Sequence, residues 1–322
     1  MKRFVATALV AACALLSGPA AAQNFPTKTM RMIVAFPPGG GTDIVARIVS
    51  QKLTEMWGQQ VIVDNRAGAA GTIGTDLMAK SPPDGYTLFM GTMGNLTANT
   101  ALYHNLPFDV GRDLTPVTLV VKVHFVMVAH PSLPAKTVQE LIALAKAKPG
   151  QINYASFGAG GAPHLGAELF KSMAGVNLTH VPYKGSGPSF ADLLGGQVSL
   201  TIDSLAQALP YIKSGRLRAL AVTGEKRAPM LPDVLTVAEA GVPGYELTNW
   251  FGLVTRAGTP HEIVNRVNAD VVKVLQMPDV RERLLGMALD PVGNTPAQFG
   301  AYIKSETAKW VKVIKEAGIT AG

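Results

Sequence analysis

The chain has 322 residues, of which 48% are hydrophobic and 16% charged, with a formal net charge of +7 and one cysteine. A chain of that length builds its own core as one large or two medium domains. A lone cysteine excludes a disulfide framework and a Cys-ligated metal site. The lack of any dense Lys/Arg run interleaved with aromatics argues against nucleic acid as a partner.

The first segment reads as a bacterial export signal. Lys2 and Arg3 precede an apolar run from Phe4 to Leu16, which Ser17-Gly18-Pro19 breaks ahead of Ala20-Ala21-Ala22. The run is too short to stay in a bilayer, and the A-x-A places cleavage after Ala22. Residues 1–22 are then a signal peptide, and a cysteine-free periplasmic chain begins at Gln23 with a charge near +5, once Lys2 and Arg3 are lost. Val10-Ala11-Ala12-Cys13 also fits, loosely, a lipoprotein signal lipidated at Cys13, but the A-x-A beyond it favours plain cleavage.

From there, apolar runs of strand length alternate with helical periodicity. The pattern predicts strands over 31–36, 60–64 and 86–91 with helices over 43–57 and 72–80 between or before them. It continues with strand 125–130, helix 137–148, strand 151–155, helix 163–174, strand 178–181, helix 187–195, strand 198–202, helix 205–214 and strand 217–223. A helix over 234–240, a strand over 250–255 and helices over 260–276, 278–286 and 296–317 complete it. Such alternation implies an α/β protein with mostly parallel, buried strands.

Residues 124–248 form a self-contained series of strand–helix units, and the flanking parts read as two pieces of another. The expected layout is one discontinuous lobe (23–123 and 249–322) and a second lobe (124–248). Two crossovers, near Val120–Phe125 and Leu247–Phe251, would join them, with a ligand cleft between.

Four glycine-rich loops follow predicted strands and open helices: 37–43, 65–74, 156–164 and 183–188. Glycine turns leave backbone N–H groups uncovered, and a helix N-terminus adds its own unpaired N–H groups and partial positive charge, so each is a small anion site. The first (Phe36-Pro37-Pro38-Gly39-Gly40-Gly41-Thr42-Asp43) and the third (Ser156-Phe157-Gly158-Ala159-Gly160-Gly161-Ala162-Pro163-His164) carry the strongest signal, three glycines crowding before a helix start.

Candidate side chains sit around these loops. His164 either donates to a bound carboxylate or hydrogen-bonds inside its own loop. Asp203 either caps the following helix or turns its carboxylate into the cleft, to accept from a ligand amine, hydroxyl or water. Phe36, Phe157 and Tyr183 are candidates for a flat apolar wall, with core packing the competing reading for the phenylalanines.

Nucleotide and catalytic motifs are missing. No glycine run completes G-x-G-x-x-G or the P-loop, there is no G-x-S-x-G or H-E-x-x-H, and the six histidines lie at no metal-ligand spacing. No catalytic residue, metal or cofactor is therefore expected.

The residues match a known family along nearly the whole mature chain. The stretches include Val34 to Gly40 with Thr42-Asp43, Val63 to Gly71, Ser81 to Leu88, Leu106 to Asp109, Tyr154-Ala155-Ser156 and His164-Leu165. Val181 to Gly185, Gly195 to Val198, Lys213 to Leu220 and Pro243-Gly244-Tyr245 continue the match. In these the chain resembles the periplasmic solute-binding receptors of tripartite tricarboxylate transporters, the Bug or TctC-like family. The resemblance implies a two-lobed, type II periplasmic-binding-protein fold that closes on a small carboxylate like a trap. It implies ligand contacts at Pro38, Gly39, Gly40 and Asp43 in one lobe, and at Ser156, Gly158, Gly160, His164 and Asp203 in the other. It implies as partners the large and small membrane subunits of such a transporter; nothing in the sequence calls for an oligomer, and a monomer is expected. A sensor presenting its solute to a signalling membrane protein, or a secreted enzyme acting on a small anion, are the alternative readings. The identity of the acid does not carry over.

Overall fold

A computed structural model describes residues 25–320 apart from His104, Ala159 and Lys184. The expected signal peptide, its cleavage after Ala22 and Cys13 lie outside the described residues.

The chain opens with β1 (Met30–Val34), α1 (Gly41–Trp57), β2 (Val61–Asn65), α2 (Thr72–Ala79) and β3 (Thr87–Thr92). A π-helical turn (Gly94–Ala98) runs into the short α3 (Asn99–Leu102), followed by α4 (Val110–Asp113) and β4 (Leu114–Val123). A second series follows: β5 (Phe125–Ala129), α5 (Val138–Ala147), β6 (Asn153–Ser156), α6 (Ala162–Ala174), β7 (Thr179–Pro182), α7 (Ser186–Leu194), β8 (Leu200–Ser204), α8 (Leu205–Lys213) and β9 (Arg218–Val222). The chain ends with β10 (Asn249–Arg256), α9 (His261–Gln276), α10 (Pro278–Gly286), β11 (Leu289–Pro291) and α11 (Pro296–Glu316). Local chemistry sets many of these ends. Gly58 and Gly175 close α1 and α6 in the left-handed conformation, and Thr295 with Gln298 makes a capping box ahead of Pro296 on α11.

Two sheets result. One has the order β11-β4-β10-β3-β1-β2 and the other β7-β6-β8-β5-β9. The molecule is thus a two-lobed α/β protein. Strand β5 shows how the second sheet is buried on both faces. Phe125, Met127 and Ala129 point into the main core, while Val126 and Val128 join a separate cluster with Phe190, Leu193 and Leu205.

Two expectations change. The sheets are mixed: β1–β2, β1–β3, β6–β7 and β6–β8 are parallel, but β4, β5 and β10 pair antiparallel with their neighbours. These are the strands that carry the chain between lobes, so their direction follows the crossings and not a strand–helix–strand repeat. Strand β4 itself was not predicted, because Pro116 and scattered threonines obscure its period. The helix expected over 234–240 is a single turn. Thr236 and Glu239 exchange side-chain and backbone hydrogen bonds there, and Gly241 at φ +109° with Pro243 stops continuation.

His124 stands between β4 and β5, at the first crossing. Its N–H donates to Ala288 O (3.3 Å), its carbonyl accepts from Leu205 N–H (2.8 Å), and its Nε2 lies 2.7 Å from Asp290 Oδ2. Ala288, in the turn before β11, packs into the second lobe's separate cluster. At the return crossing, Leu247 N–H donates to Thr223 O (2.8 Å) and Glu246 pairs with Lys309 of α11.

Packing between β10 and α11 gives a stability test. A Cβ added at Gly252 would overlap the ring of Phe299, which is fully buried and edge-on to Trp250. Gly252→Ala is expected to destabilise the fold by about 1–3 kcal/mol through overpacking, measured by urea unfolding. A midpoint equal to wild type would contradict this packing.

Candidate functional site

The first glycine loop leads from β1 into α1. Gly39 has φ +83°, a left-handed conformation suited to glycine, and nothing lies within 4 Å of where its Cβ would be. The first helical bond of α1 runs from Ile44 N–H to Gly40 O (3.0 Å). The N–H groups of Gly41, Thr42 and Asp43 therefore stand ahead of the helical ladder, at the positive end of the helix.

Asp43 holds this loop in shape. Its carboxylate is 2% exposed. Oδ2 accepts from Gly39 N–H (2.9 Å) and Arg47 Nε (2.9 Å), and Oδ1 accepts from Asn65 Nδ2 (2.9 Å). Burial pushes the carboxyl up, but the hydrogen bonds from Arg47, Gly39 and Asn65 outweigh it and hold the group below the usual carboxylate range. Asn65 also donates to Phe36 O (3.0 Å), so β2 clamps both ends of the loop. The structure thus turns Asp43 inward as a shaping residue, while Pro38, Gly39 and Gly40 stay exposed. Phe36 is half-buried against the main core, and Phe251 packs beside Gly41.

The third loop is built differently. Gly158 N–H donates to Ser156 Oγ (3.1 Å), Gly160 N–H to His164 Nδ1 (3.1 Å), and Gly161 N–H to Gly158 O (3.3 Å). The donors expected to meet a ligand at Gly158 and Gly160 are engaged inside the loop. The N–H groups ahead of the α6 ladder are those of Ala162 and His164, since its first helical bond is Leu165 N–H to Gly161 O (3.0 Å) and Pro163 has no N–H. Of the two readings of His164, the hydrogen bond within its loop is present. Phe157 is half-buried and folds back over Gly161.

Loop 183–188 lies alongside. Tyr183 N–H donates to Ser156 O (2.9 Å), and Tyr183 Oη donates to Asp192 Oδ2 (2.7 Å). Burial, then Asp192, push the tyrosine hydroxyl up to about 12. Asp203, one residue before the end of β8, lies beside this loop, 1% exposed. Its Oδ2 accepts from Ser186 Oγ (2.8 Å) and its Oδ1 from Ser204 N–H (2.7 Å). Ser204, not Asp203, is the N-cap residue of α8. Burial without a cation raises the Asp203 carboxyl to about 6, despite those two donors.

The lobes meet at Gly160. Its carbonyl lies 3.6 Å from where a Cβ on Gly94 would be, and a Cβ on Gly160 would fall 2.8 Å from Leu102 Cδ1 and 3.7 Å from Asn99 Oδ1. Asn99 Nδ2 in turn donates to Ala70 O (2.9 Å) in the second loop. The segment 92–102 was missed as part of the site. A π-helical turn has no periodic signal of its own, although the asparagines at 95 and 99 were a hint. Arg47, Asn65, His180 and Ser186 were missed because each acts through a predicted residue. A groove of about 530 Å³ elsewhere, lined by Lys28, Arg31, Ile62, Asp64, Asp84 and Tyr86, includes none of the predicted site residues.

Two α/β lobes joined by two crossovers, with glycine turns at the heads of their helices, are the architecture of a solute-binding receptor. The comparisons place it further. The model of the tripartite tricarboxylate transporter family receptor matches residues 45–319, and this chain belongs to that family. Protein BugT of Bordetella pertussis is 40% identical over 316 residues, covering 98% of this chain and 95% of its own. The R. palustris protein Rpa4515, solved with adipate, superposes at a TM-score of 0.86 with 40% identity, covering 92% of this chain and 99% of its own. MatC from Rhodopseudomonas palustris, solved with bound malate, superposes at 0.82 with 32% identity, over 90% and 100% of the two chains.

Asp203 gives a pH-dependent test. An acid whose pKa is raised in the fold contributes stability below its unfolded pKa and loses it as pH rises through the folded one, here from about 4 to about 6. Asp203→Asn keeps an acceptor for Ser204 and does not ionise. At pH 7.5 the variant is expected to be more stable than wild type by roughly 2–3 kcal/mol, at about 1.4 kcal/mol per pKa unit, with the gap vanishing near pH 4. Denaturant melts across that range check it; a gap independent of pH would refute the assignment.

Proposed function

We propose that this protein is a periplasmic receptor that captures a small carboxylate between its lobes and delivers it to the large and small membrane subunits of a tripartite tricarboxylate-type permease. The ligand is a dicarboxylate, a tricarboxylate or an aromatic acid. The observation that carries this reading is the head of α1: an exposed glycine turn ahead of unladdered N–H groups, with Asp43 turned away and wrapped in donors. Such a turn accepts an anion through backbone dipoles alone. The acids bound by similar proteins, adipate and malate, are of the proposed class.

In this reading, Pro38, Gly39 and Gly40 receive one carboxylate, and Asp43 shapes their loop. The second lobe closes with Ser156, Gly158, Gly160, His164 and Asp203 around the opposite end, and Phe36, Phe157 and Tyr183 flank the ligand body. The lobes are residues 23–123 with 249–322, and 124–248; the sheet membership of the strands supports this division. The chain is exported, loses its signal after Ala22, works as a monomer, and binds its solute without transforming it or using a cofactor. Ligand contact with both lobes shifts an open–closed equilibrium, and the closed form docks on the permease.

Two measurements test this. A thermal-shift screen of ligand-stripped protein against mono-, di- and tricarboxylates, aromatic acids and amino acids is expected to give a rise in melting temperature with at least one carboxylate, by mass action on the native state. No shift from a folded sample would count against carboxylate capture. Gly40 has φ −75° and only Pro37 O within 4 Å of a prospective Cβ, so Gly40→Val fits the fold. It nevertheless fills the approach to the anion turn. Its melting temperature is expected near wild type and its carboxylate affinity at least 100-fold weaker by calorimetry; normal titration would remove this loop from the site.

A further inference from the structure

Behind the third loop, three rings stack. Tyr154 and His180 are register partners on the parallel strands β6 and β7, so they share a face of the sheet. Their rings lie 4.9 Å apart at 17°, and the His164 ring, from the first turn of α6, stacks on His180 at 4.3 Å and 23°. Both imidazoles bond the loop. Gly160 N–H donates to His164 Nδ1 (3.1 Å), which must therefore be unprotonated. His180 Nε2 lies 2.7 Å from Ser156 Oγ, and that same oxygen accepts from Gly158 N–H (3.1 Å).

We propose that His164 and His180 are a proton-sensitive brace for the ligand-facing loop of the second lobe, so that acid loosens this loop and weakens ligand binding. The proposal rests on reading the third loop as half of the ligand site. A proton on His164 Nδ1 removes the acceptor that Gly160 N–H uses and sets two N–H groups against each other. A charge on either ring also faces the other ring within one stacking distance, so a second proton meets direct repulsion.

Among the described residues, few charged and titratable groups act on the pair. Glu168 and Lys171 come from α6, and Tyr154 from β6. Tyr154 Oη (2.6 Å) and Lys171 Nζ (2.7 Å) both donate to Glu168 Oε1, so the carboxylate that would favour a charged imidazole is already occupied. From the first lobe, the described residues meeting Gly160 are the uncharged Gly94, Asn99 and Leu102. Burial is the largest influence on both rings and lowers both; His180, with His164 beside it, is held at about 4. A histidine lowered in the fold leaves stability intact at neutral pH. That stability is lost as pH falls from about 6.5 towards about 4, because the unfolded chain takes up the protons first.

The test separates the brace from the ligand. In the first arm, ring and amide nitrogen shifts of the unliganded mature protein are followed by NMR from pH 7.5 to 3.5. His180 is expected to titrate at about 4 and His164 below the ordinary histidine range, with the His164 proton on Nε2, and the Gly160 amide to move with the same midpoint as the His164 ring. A ring titrating near 6.5, or a Gly160 amide indifferent to the rings, would overturn the brace whatever the ligand is. In His164→Asn the side-chain carbonyl replaces Nδ1 as acceptor without titrating, so the Gly160 amide is expected to stay flat; His180→Gln keeps an uncharged polar partner for Ser156 Oγ whichever of the two donates.

In the second arm, adipate is titrated into wild type and both variants at pH 7.5 and 3.5. Adipate itself titrates in this range, so the comparison between proteins decides. A pH ratio in affinity about threefold larger for wild type than for the variants, the size set by a ring titrating at about 4, supports the proposal, and equal ratios refute it. Should adipate bind none of them, the reading of the ligand fails at this probe while the first arm still decides the brace.

Discussion

A backbone N–H can hold a ligand only when the protein's own acceptors leave it alone, and the first loop depends on solving that problem at Asp43. A carboxylate at position three of a helix is well placed to take the N-terminal N–H groups for itself. Here it does not, because Arg47 and Asn65 saturate it from the side and Gly39 N–H takes the remaining position. The negative charge is thereby spent on fixing the turn, and the helix end beyond it stays available. Asn65 connects this arrangement to β2, and Asn99 to the second loop, so the first lobe presents one rigid edge.

The second lobe works under a different constraint. Its loop crosses buried polar groups that have no cation to neutralise them. Asp203 is buried with two neutral donors, and two imidazoles lie face to face behind Gly160. Unbalanced groups of this kind cost stability and are costly to keep for packing alone. One lobe therefore keeps backbone donors ahead of a helix unpaired by its own carboxylate, and the other buries an acid held by two neutral donors.

Much of the fold was legible. Apart from 234–240, the helices from 43–57 to 296–317 lie within a few residues of their predicted bounds, because each buries one apolar stripe and several end at glycine or begin at proline. What was not legible were the features that depend on two distant segments. The antiparallel course of β4 and β10 follows from the crossing between lobes, which no local period encodes. The glycine loops were visible as glycine before a helix, but which of their N–H groups remain unpaired was not. Gly158 and Gly160 look equivalent to Gly39 and Gly40 in sequence, yet their donors are consumed by Ser156 and His164. The His180 contribution was hidden because its partner rings stand 16 and 26 residues away, Tyr154 joined to it by strand register and His164 by the packing of α6.

Closure must also be possible mechanically, and the crossings bear on this. His124 is bonded at once to Ala288 and Asp290 in the first lobe and to Leu205 in the second, while Ala288 packs into the second lobe's own cluster. Three pieces of chain thus converge where a two-stranded hinge alone would leave the lobes free to twist. A connection braced in this way resists twisting of one lobe against the other. The lobes also touch at Gly160, against Gly94 and Leu102. Gly160 is the residue whose N–H donates to His164, so the imidazole stack lies directly behind a contact between the lobes.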